Sequence, residues 1–362
     1  MCIRDSLFTD PAHIRRVLGT CILLFLPFVP GALVIILAFT SWPDRIGRLY
    51  LSNLTGSAAG GLLSILLPWV LMPQVIPSAL AMLAVLAAIL LLPAHPRQLM
   101  LFPVSALLLC LISIPLQPDV EISEYKSLSR TLDLPNAEIL LEANSPAGVL
   151  HVVRAPAWRH APGLSLTFDG SIPVRDALFR DGMLLGALPG GEARHHPDSP
   201  HLLDYSTRAL PYALGAPEHV LVLDGGAGEE AAQALQQGAK RVTVLQPDGR
   251  LRELLRGVLA PLTDSLFLDP RLQMVPRDAR TALAAGGTYD LIVHPVVESM
   301  GGSAGLRALQ EEYTLTVEAF AAMWHRLSAR GRFEITVWMD YPWRSTVRLP
   351  ATLAVMLERE GA

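Results

Sequence analysis

The sequence predicts a helical membrane bundle, then a small β unit, then an α/β domain with an open, mostly parallel, doubly wound sheet. Apolar residues make up 51% of the 362 positions and charged residues only 17%, against about 25% charged residues in a typical soluble protein. Only four charged residues lie between positions 17 and 118. After position 216, apolar strand-like runs alternate with helical patterns, which is typical of a parallel sheet covered on both faces.

Charge and cysteine content narrow the possible partners. The formal net charge is −4 and the chain has no long basic run, which argues against nucleic acid as a partner because that binding requires clustered Lys and Arg. The three cysteines are Cys2, Cys21 and Cys110. None lies in the polar half, so we expect no disulfide and no thiolate metal site there.

Four apolar segments follow an N-terminal segment of residues 1–18 and form a predicted transmembrane bundle over 19–118. A bilayer core needs about 20 apolar residues in a helix, and each segment is close to that length. The alternative, a buried helical core of a soluble protein, does not fit four such segments that are almost free of charge. The predicted spans are 19–40, 56–72, 76–93 and 99–116.

Basic residues predict the orientation of the bundle. Arg4, Arg15 and Arg16 precede the first span and favour a cytoplasmic N-terminus by the positive-inside rule. An even number of spans then returns the polar half to the cytoplasm, although Arg45 and Arg48 oppose this assignment. No predicted span has an ionisable residue at its middle, so we interpret the bundle as an anchor rather than an ion pathway.

A connector and a small β unit are predicted over residues 119–215. Residues 185–199 have a loop-like composition, and His195, His196 and His201 lie in or just beyond that segment. A metal site and solvated loop histidines are the two interpretations, and we expect no metal, since adjacent histidines rarely ligate one ion without acidic partners. The predicted antiparallel strands are 137–141, 148–154 and 164–168.

The α/β domain is predicted over residues 216–362. The chain stops soon after its last helix, and open sheets of this type usually add a closing hairpin, so we expect the domain to be truncated at the C-terminus. The predicted strands are 219–224, 241–246, 272–275, 290–294 and 332–338. The predicted helices are 229–238, 250–259, 279–285, 312–328 and 349–358.

A glycine-rich turn follows the first predicted strand of this domain. In open parallel sheets, ligands bind beyond the carboxyl ends of the strands, where the strand order reverses. Glycines let a ligand approach the backbone closely, while Glu229 and Glu230 disfavour a pyrophosphate. A ligand with positive charge and no phosphate, such as the sulfonium S-adenosylmethionine, fits better, and a plain tight turn is the structural alternative. The turn consists of Asp224, Gly225, Gly226, Ala227 and Gly228.

Six motifs follow one another within residues 137–355: LTFDGSIP (166–173), HLLDYSTRALPYALGAPEHVLVLDGGAGEE (201–230), GAKRVTVLQPD (238–248), PRDARTAL (276–283), TYDLIVHP (288–295) and EEYTLTVEAF (311–320). In this order they resemble the polyamine aminopropyltransferase (spermidine synthase) family, in particular its membrane-anchored bacterial members. IGRLYLSNLTGSAAG (46–60) resembles the segment that leads into a span in the anchored members. The resemblance implies a class I methyltransferase-type fold and a bacterial inner-membrane location.

The resemblance implies a nucleotide donor site for S-adenosylmethionine or its decarboxylated form. The glycine turn would contact the methionine-like part, and Asp278 with Ala279 would hold the adenine edge. A helix N-cap is the alternative role for Asp278. Gln246 stands where the family has an acidic residue that binds the ribose diol, and a neutral amide should bind that diol less well. Asp248 is nearby but is expected to have a different orientation.

The position of the family's catalytic Asp is taken by Pro295, which cannot accept a proton. His294 and Glu298 flank this position and are weak candidates for a base, with strand-end packing and solvation as the alternatives. Two functions therefore remain. One is a transferase of methyl or aminopropyl groups, with a polyamine as the acceptor that the family implies. The other is a non-catalytic membrane scaffold or ligand-binding protein. Membrane lipid and a second copy of the chain are the expected partners.

Overall fold

The computed structural model describes residues 11–91, 104–108, 111–112, 122–124, 126–190, 202–295, 313–337 and 345–361. The chain divides into two compact units, Met1–Leu67 and Pro68–Ala362. The first consists of helices over its described residues, and the second contains both β-sheets. The described chain is therefore a helical N-terminal region followed by an α/β region with a parallel sheet.

Four α-helices and one short 3-10 helix, Pro43–Arg45, lie within residues 11–91. A turn at Leu26 and Pro27 separates the first two, as expected where proline removes a backbone donor. Pro30 is tolerated because it lies in the first turn of the second helix. The helices are α1 (Pro11–Phe25), α2 (Phe28–Ser41), α3 (Ile46–Val70) and α4 (Ile76–Leu91).

Two helical runs among the described residues have the length and composition of a membrane span. They cover Ile14–Ser41 and Pro43–Val70, 28 residues each, and neither is buried within the protein. This agrees with the first two predicted spans, although a signal sequence near the N-terminus satisfies the same criterion. α4 coincides with the third predicted span but has only 16 residues. The fourth, 99–116, lies outside the described residues except for two short helical pieces, 104–108 and 111–112.

The small β unit is a four-stranded antiparallel sheet in the order β1-β2-β3-β4. One of its faces packs on α5 (Ser127–Leu132), where Leu128 contacts a cluster formed with Val153, Ala177 and Phe179. The second strand has the predicted bounds, and the first extends four residues further than predicted. The strands are β1 (Glu138–Ser145), β2 (Gly148–Arg154), β3 (Ala177–Arg180) and β4 (Met183–Ala187).

The predicted strand at 164–168 is wrong, and so is the loop assignment at 185–187. Leu164 forms only an isolated bridge with Ser206, and Leu166 is fully exposed, so this apolar run neither joins a sheet nor packs into the core. The strands form instead around Asp181 and Gly182, whose φ angles of 49° and 76° are typical of a two-residue hairpin turn. Asp181 and Gly182 therefore connect β3 to β4.

The large sheet has five parallel strands in the order β7-β6-β5-β8-β9. Its central strand, β5, is the first of the five in sequence. The chain continues to β6 and β7 on one side of β5 and then to β8 and β9 on the other, so the strand order reverses between β5 and β8. The prediction of an open, doubly wound parallel sheet is confirmed. The strands are β5 (His219–Val222), β6 (Arg241–Leu245), β7 (Leu272–Val275), β8 (Tyr289–His294) and β9 (Leu327–Ile335).

Alternate residues of the central strand pack against opposite helical layers. Val220 and Val222 pack in one buried cluster with the helices Glu229–Gln236 and Gly249–Arg256. Leu221 and Leu223 pack in another, with the helices Ala279–Ala285, Val317–Trp324 and Ser345–Glu360. This period of two requires both faces of the sheet to be covered. The helices are α6 (Leu210–Ala213), α7 (Glu229–Gln236), α8 (Gly249–Arg256), α9 (Ala279–Ala285), α10 (Val317–Trp324) and α11 (Ser345–Glu360).

The predicted helix at 312–328 is too long at both ends. α10 begins after Thr316, whose hydroxyl accepts a hydrogen bond from the Ala319 amide. It ends at Trp324, and the Tyr289 amide donates to the Arg326 carbonyl, so β9 begins at Leu327 rather than at 332. Pairing with β8 therefore overrides the helical periodicity of this segment.

Candidate functional site

The glycine turn lies at the carboxyl end of β5 and is held by hydrogen bonds of its own. The exposed Asp224 side chain accepts from the Gly226 amide at 3.1 Å. The Gly225 amide donates to the Leu245 carbonyl at 2.9 Å, and the Gly228 amide donates to the Gly225 carbonyl at 2.8 Å. Gly226 and Gly228 have φ angles of 45° and 101°, a left-handed conformation that favours glycine.

At two of these positions, close packing of neighbouring side chains is enough to require glycine, whether or not a ligand binds there. A Cβ atom at Gly225 would lie 2.8 Å from Val244, and one at Gly228 would lie 2.6 Å from the Phe267 ring. Gly226 differs, because its Cβ position meets only the Leu185 carbonyl oxygen, at 3.3 Å. Gly226 is therefore the glycine of the turn whose environment is most open.

Gln246 follows β6 and lies against this turn. Its side chain is 2% exposed, and its Oε1 accepts from the Asp248 amide at 3.4 Å. Its Nε2 is buried without a hydrogen-bond partner and lies 3.3 Å from the Cβ position of Gly225. The free group of Gln246 is thus a donor, because the amide oxygen that was expected to replace the family's carboxylate is already engaged.

Asp248 has a structural role, as its expected different orientation suggested. Its Oδ1 caps α8 by accepting from the amides of Arg250 and Leu251. Its Oδ2 accepts from Arg180 at 2.9 Å and from the Ser145 hydroxyl at 3.2 Å. The carboxylate therefore ties the small sheet to the α/β domain.

Asp278 follows β7 and forms the N-cap of α9. Its Oδ1 accepts from the Thr281 amide at 2.9 Å and its Oδ2 from the Thr281 hydroxyl at 2.8 Å, and these bonds lower the pKa of the carboxyl group. The carboxylate is exposed, so lone pairs remain for a ligand. Ala279, the first residue of α9, is buried, and its amide has no acceptor inside the helix.

The structure brings most of the predicted nucleotide-binding residues to one edge of the sheet. The glycine turn, Gln246 and the Asp278–Ala279 pair follow β5, β6 and β7, which are adjacent parallel strands. Their carboxyl ends meet where the strand order reverses, which is where ligands bind in this class of sheet.

His294, the last residue of β8, is engaged through both ring nitrogens. Nδ1 lies 2.9 Å from the Pro295 carbonyl oxygen, and Nε2 lies 2.8 Å from the Thr314 hydroxyl. A neutral ring that donates from Nδ1 and accepts at Nε2 satisfies both contacts, and the residue is 9% exposed. Glu298, the other predicted base, lies outside the described residues.

The sequence did not reveal a buried ionic cluster at the start of α7. The Arg208 guanidinium lies 3.3 Å from the Glu229 carboxylate and 2.9 Å from the Glu230 carboxylate, and all three residues are less than 10% exposed. The two carboxylates therefore share one guanidinium, and His160 and Arg175 also act on Glu229. The expectation that these two carboxylates favour a cationic ligand over a pyrophosphate stays a prediction.

Burial raises the pKa values of the glutamates in this cluster, whereas pairing with cations lowers them. Burial raises the pKa of Glu230, and only Arg208 opposes it among the charges that act on this group. For Glu229, burial is outweighed by Arg208, His160 and Arg175, and the pKa is lowered. Burial and the proximity of Glu230 raise the pKa of Glu334 to about 8, so this residue is mostly protonated at neutral pH.

No candidate metal centre occurs in the part of the chain that the structure describes, in the sense of three or more clustered His, Cys, Asp or Glu side chains. His195, His196 and His201 lie outside the described residues. The interpretation of these three histidines stays a prediction.

The chain is similar to polyamine aminopropyltransferases. It is 29% identical over 102 residues to the enzyme of Pyrobaculum calidifontis, a match that covers 27% of this chain and 35% of that protein. It is 34% identical over 83 residues to the enzyme of Pyrobaculum neutrophilum, covering 22% and 28%. The matches thus span about a third of these curated relatives, and no family model matches the chain.

The solved structures to which the chain is similar include two spermidine synthases. One is spermidine synthase in complex with the transition state analogue AdoDATO, with 15% identity and a TM-score of 0.39. The other is spermidine synthase from Thermotoga maritima, with 15% identity and a TM-score of 0.40. Each comparison covers 61% of this chain and 63% of the other.

Proposed function

We propose that this chain is a membrane-attached transferase that uses an S-adenosylmethionine-type donor and has a class I methyltransferase-type α/β domain. One observation carries the proposal. The glycine turn, Gln246 and Asp278 follow three adjacent parallel strands at the edge where the strand order reverses, in a chain with sequence similarity to aminopropyltransferases. The proposal includes the predicted division of the chain into a transmembrane bundle (19–118), a connector with a small β unit (119–215) and a nucleotide-binding domain (216–362).

The residues at this edge fit a nucleoside with a positively charged sulfur. The orphaned Nε2 of Gln246 can donate to a ribose hydroxyl oxygen, and the Asp278 carboxylate can accept from an adenine amino group beside the free Ala279 amide. The open side of Gly226 lets a ligand approach the backbone. When bound, such a donor supplies an electrophilic carbon for transfer to a nucleophile.

The expected acceptor is a polyamine, and the expected assembly is a homodimer, as the resemblance implies. Removal of a proton from an amine requires a base near the end of β8. His294 has both nitrogens engaged, so it acts only if the bond to Thr314 opens and frees Nε2. Glu298 is the alternative base.

A second candidate function is a non-catalytic descendant that keeps the fold as a membrane scaffold or ligand-binding protein. Two observations favour it. The residue after His294 is Pro295, and the Gln246 oxygen that would replace the family's carboxylate is already bonded to the Asp248 amide. The two candidates differ in whether the chain binds and consumes a nucleotide donor.

Calorimetric titration of the detergent-purified chain with S-adenosylmethionine and with its decarboxylated form tests the proposal. We expect one of them to bind, and we expect Gly226→Val to abolish binding because a branched side chain blocks the open side of the turn. Gly238→Val is the matched control, since it places the same side chain at a positive φ of 86° with no atom within 4 Å of the Cβ position.

The results of this titration distinguish the transferase from the non-catalytic scaffold. Binding that Gly226→Val leaves unchanged contradicts the proposed site. No binding by the natural chain, followed by binding after Gln246→Glu, indicates a decayed nucleotide site and favours the scaffold.

A further inference from the structure

Glu334 on β9 lies beside the buried ionic cluster formed by Arg208, Glu229 and Glu230. The charges of Glu230 and Arg208 act on the Glu334 carboxyl group, and its own charge acts on Arg208 and on the Tyr212 hydroxyl. Titratable groups therefore converge here from the short helix 207–209, from α6, from the start of α7 and from β9.

The guanidinium of Arg208 does not suffice for three carboxylates. It already lies 2.9 Å from Glu230 and 3.3 Å from Glu229. The Oε1 atom of Glu334 accepts only a long contact of 3.5 Å from the Thr336 hydroxyl, and its Oε2 atom is buried without a hydrogen-bond partner. A buried carboxylate without a paired cation is costly, whereas a protonated carboxyl group needs no cation. The proton therefore belongs on Glu334 rather than on Glu230.

Tyr212 is a second unpartnered polar group at the same place. The residue is 7% exposed, and its hydroxyl is buried without a hydrogen-bond partner. Burial and the charges of Glu230 and Glu334 raise the pKa of this phenol above its usual range, so the hydroxyl stays protonated while Glu334 titrates. An ionised Glu334 thus has two groups to attract, the Tyr212 hydroxyl and the Arg208 guanidinium.

Arg208 connects this region to the glycine turn. Glu229 and Glu230 are the first two residues of α7 and directly follow Gly228, the N-cap. An ionised Glu334 would compete with both for the guanidinium that they share. Charge-assisted bonds are among the stronger contacts of a protein, so their loss at the start of α7 would leave the preceding turn less firmly held.

We propose that Glu334 is a proton-controlled switch beneath the glycine turn. It is a neutral carboxylic acid at neutral pH, and when it releases its proton to solvent it attracts Arg208 away from α7 and loosens the turn. Alkaline pH therefore lowers stability and weakens nucleotide binding. The effect on stability stands by itself, whereas the effect on nucleotide binding rests on the proposed function.

The direction of the pH dependence follows from the raised pKa of Glu334. The carboxyl group titrates near its usual 4.5 in the unfolded chain and at about 8 in the folded protein. Between these values the folded state keeps a proton that the unfolded state has released, so the free energy of unfolding falls as the pH rises. Above about 8 both states are ionised, and the contribution of Glu334 is constant.

Infrared spectra of the full chain in detergent test the location of the proton. At a pH about two units below the titration of Glu334 at about 8, the spectrum of the natural chain minus that of Glu334→Gln should contain the C=O stretch of a protonated carboxyl group. This band should disappear as the pH rises through the titration. A proton on Glu230 would cancel in the difference, so a difference spectrum without the band overturns the proposal.

Thermal unfolding across the same pH range tests the effect on stability. The Tm of Glu334→Gln minus that of the natural chain should increase by at least about 4 °C as the pH rises to that of the titration, and then stay constant. Glu334→Met serves the same purpose if the Gln variant does not fold. The matched control is Glu358→Gln, which removes an exposed carboxylate of α11 and should keep the natural pH profile. Profiles that run parallel for the natural chain and the Glu334 variants overturn the proposal.

Calorimetric titration with methylthioadenosine tests the connection to the glycine turn. This nucleoside has no group that titrates near neutral pH, so a change in affinity reports on the protein. We expect the natural chain to bind it at least about fivefold more weakly above the titration of Glu334 than below it, and we expect Glu334→Gln to bind it equally at both pH values. Equal affinity for the natural chain overturns the connection to the turn. If neither methylthioadenosine nor either donor binds, the proposed function is contradicted, and the infrared and unfolding results decide the switch.

Discussion

Asp278 combines two roles in one side chain. Its carboxylate caps α9 through the amide and hydroxyl of Thr281, and the same carboxylate is exposed at the predicted nucleotide edge. A cap needs only a side-chain oxygen near the first turn, whereas an adenine contact needs an oxygen that reaches beyond it. A shorter side chain that still carries an oxygen can cap the helix but cannot reach the adenine, so it separates the two roles.

The variant Asp278→Ser should lose nucleotide affinity while it keeps most of its stability. Serine is as good an N-cap as Asp, so we expect a change in unfolding free energy within about 0.5 kcal/mol, whereas Asp278→Ala should cost about 1 kcal/mol. Urea unfolding in detergent and calorimetric titration measure the two effects. If Asp278→Ser binds nucleotide as the natural chain does, the carboxylate has only the capping role.

At the scale of elements, α7 is fixed at both ends by glycines for different reasons. Gly228 precedes it and lies against Phe267. Gly238 follows it in a Schellman motif. The Gly238 amide donates to the Leu235 carbonyl, and the Ala239 amide donates to the Ala234 carbonyl. Both glycines have positive φ, but only Gly228 is also constrained by close packing.

This difference predicts unequal costs for two alanine substitutions. Gly238→Ala should lower the free energy of unfolding by about 1–2 kcal/mol, because a left-handed backbone conformation is unfavourable for alanine. Gly228→Ala should lower the free energy of unfolding by at least about 1 kcal/mol more, because its Cβ would overlap the Phe267 ring. Urea unfolding of the two variants under the same conditions measures the difference. Equal costs would show that Phe267 moves away freely and that the turn is not tightly packed.

At the scale of the whole molecule, apolar exposure is concentrated in the N-terminal helices. The two long runs, Ile14–Ser41 and Pro43–Val70, are unburied within the described chain. The α/β region instead has buried clusters on both faces of its large sheet. Large exposed apolar surfaces of this kind mark contact with a membrane or another protein, which is the basis for the proposed membrane attachment.

Membrane attachment predicts that the full chain sediments with membranes and resists alkaline carbonate extraction. A peripheral membrane protein released by the same wash is the control. A reporter fused to the C-terminus should be active on the cytoplasmic side, as Arg4, Arg15 and Arg16 predict. Recovery of the chain in the soluble fraction would contradict the attachment, and a reporter active only on the opposite side would contradict the orientation.

Local patterns predicted much of the fold correctly. Continuous apolar runs predicted the parallel strands, and the cap residue Asp278 predicted the start of α9, because these signals depend on a few neighbouring residues. The strand at 164–168 was wrong because a short apolar run does not reveal whether a partner strand exists. The Asp181-Gly182 hairpin had a recognisable turn signal that was not used.

The sequence by itself determined the division into an apolar N-terminal region and an α/β domain, and the turn that follows the first parallel strand. These features depend on composition and short-range periodicity. Only the tertiary structure decided that Glu229 and Glu230 share the Arg208 guanidinium, that His294 has both nitrogens engaged, and that the Nε of Arg175 is buried without a hydrogen-bond partner. Charge compensation and hydrogen bonding depend on residues that are distant in sequence and meet only when the chain folds.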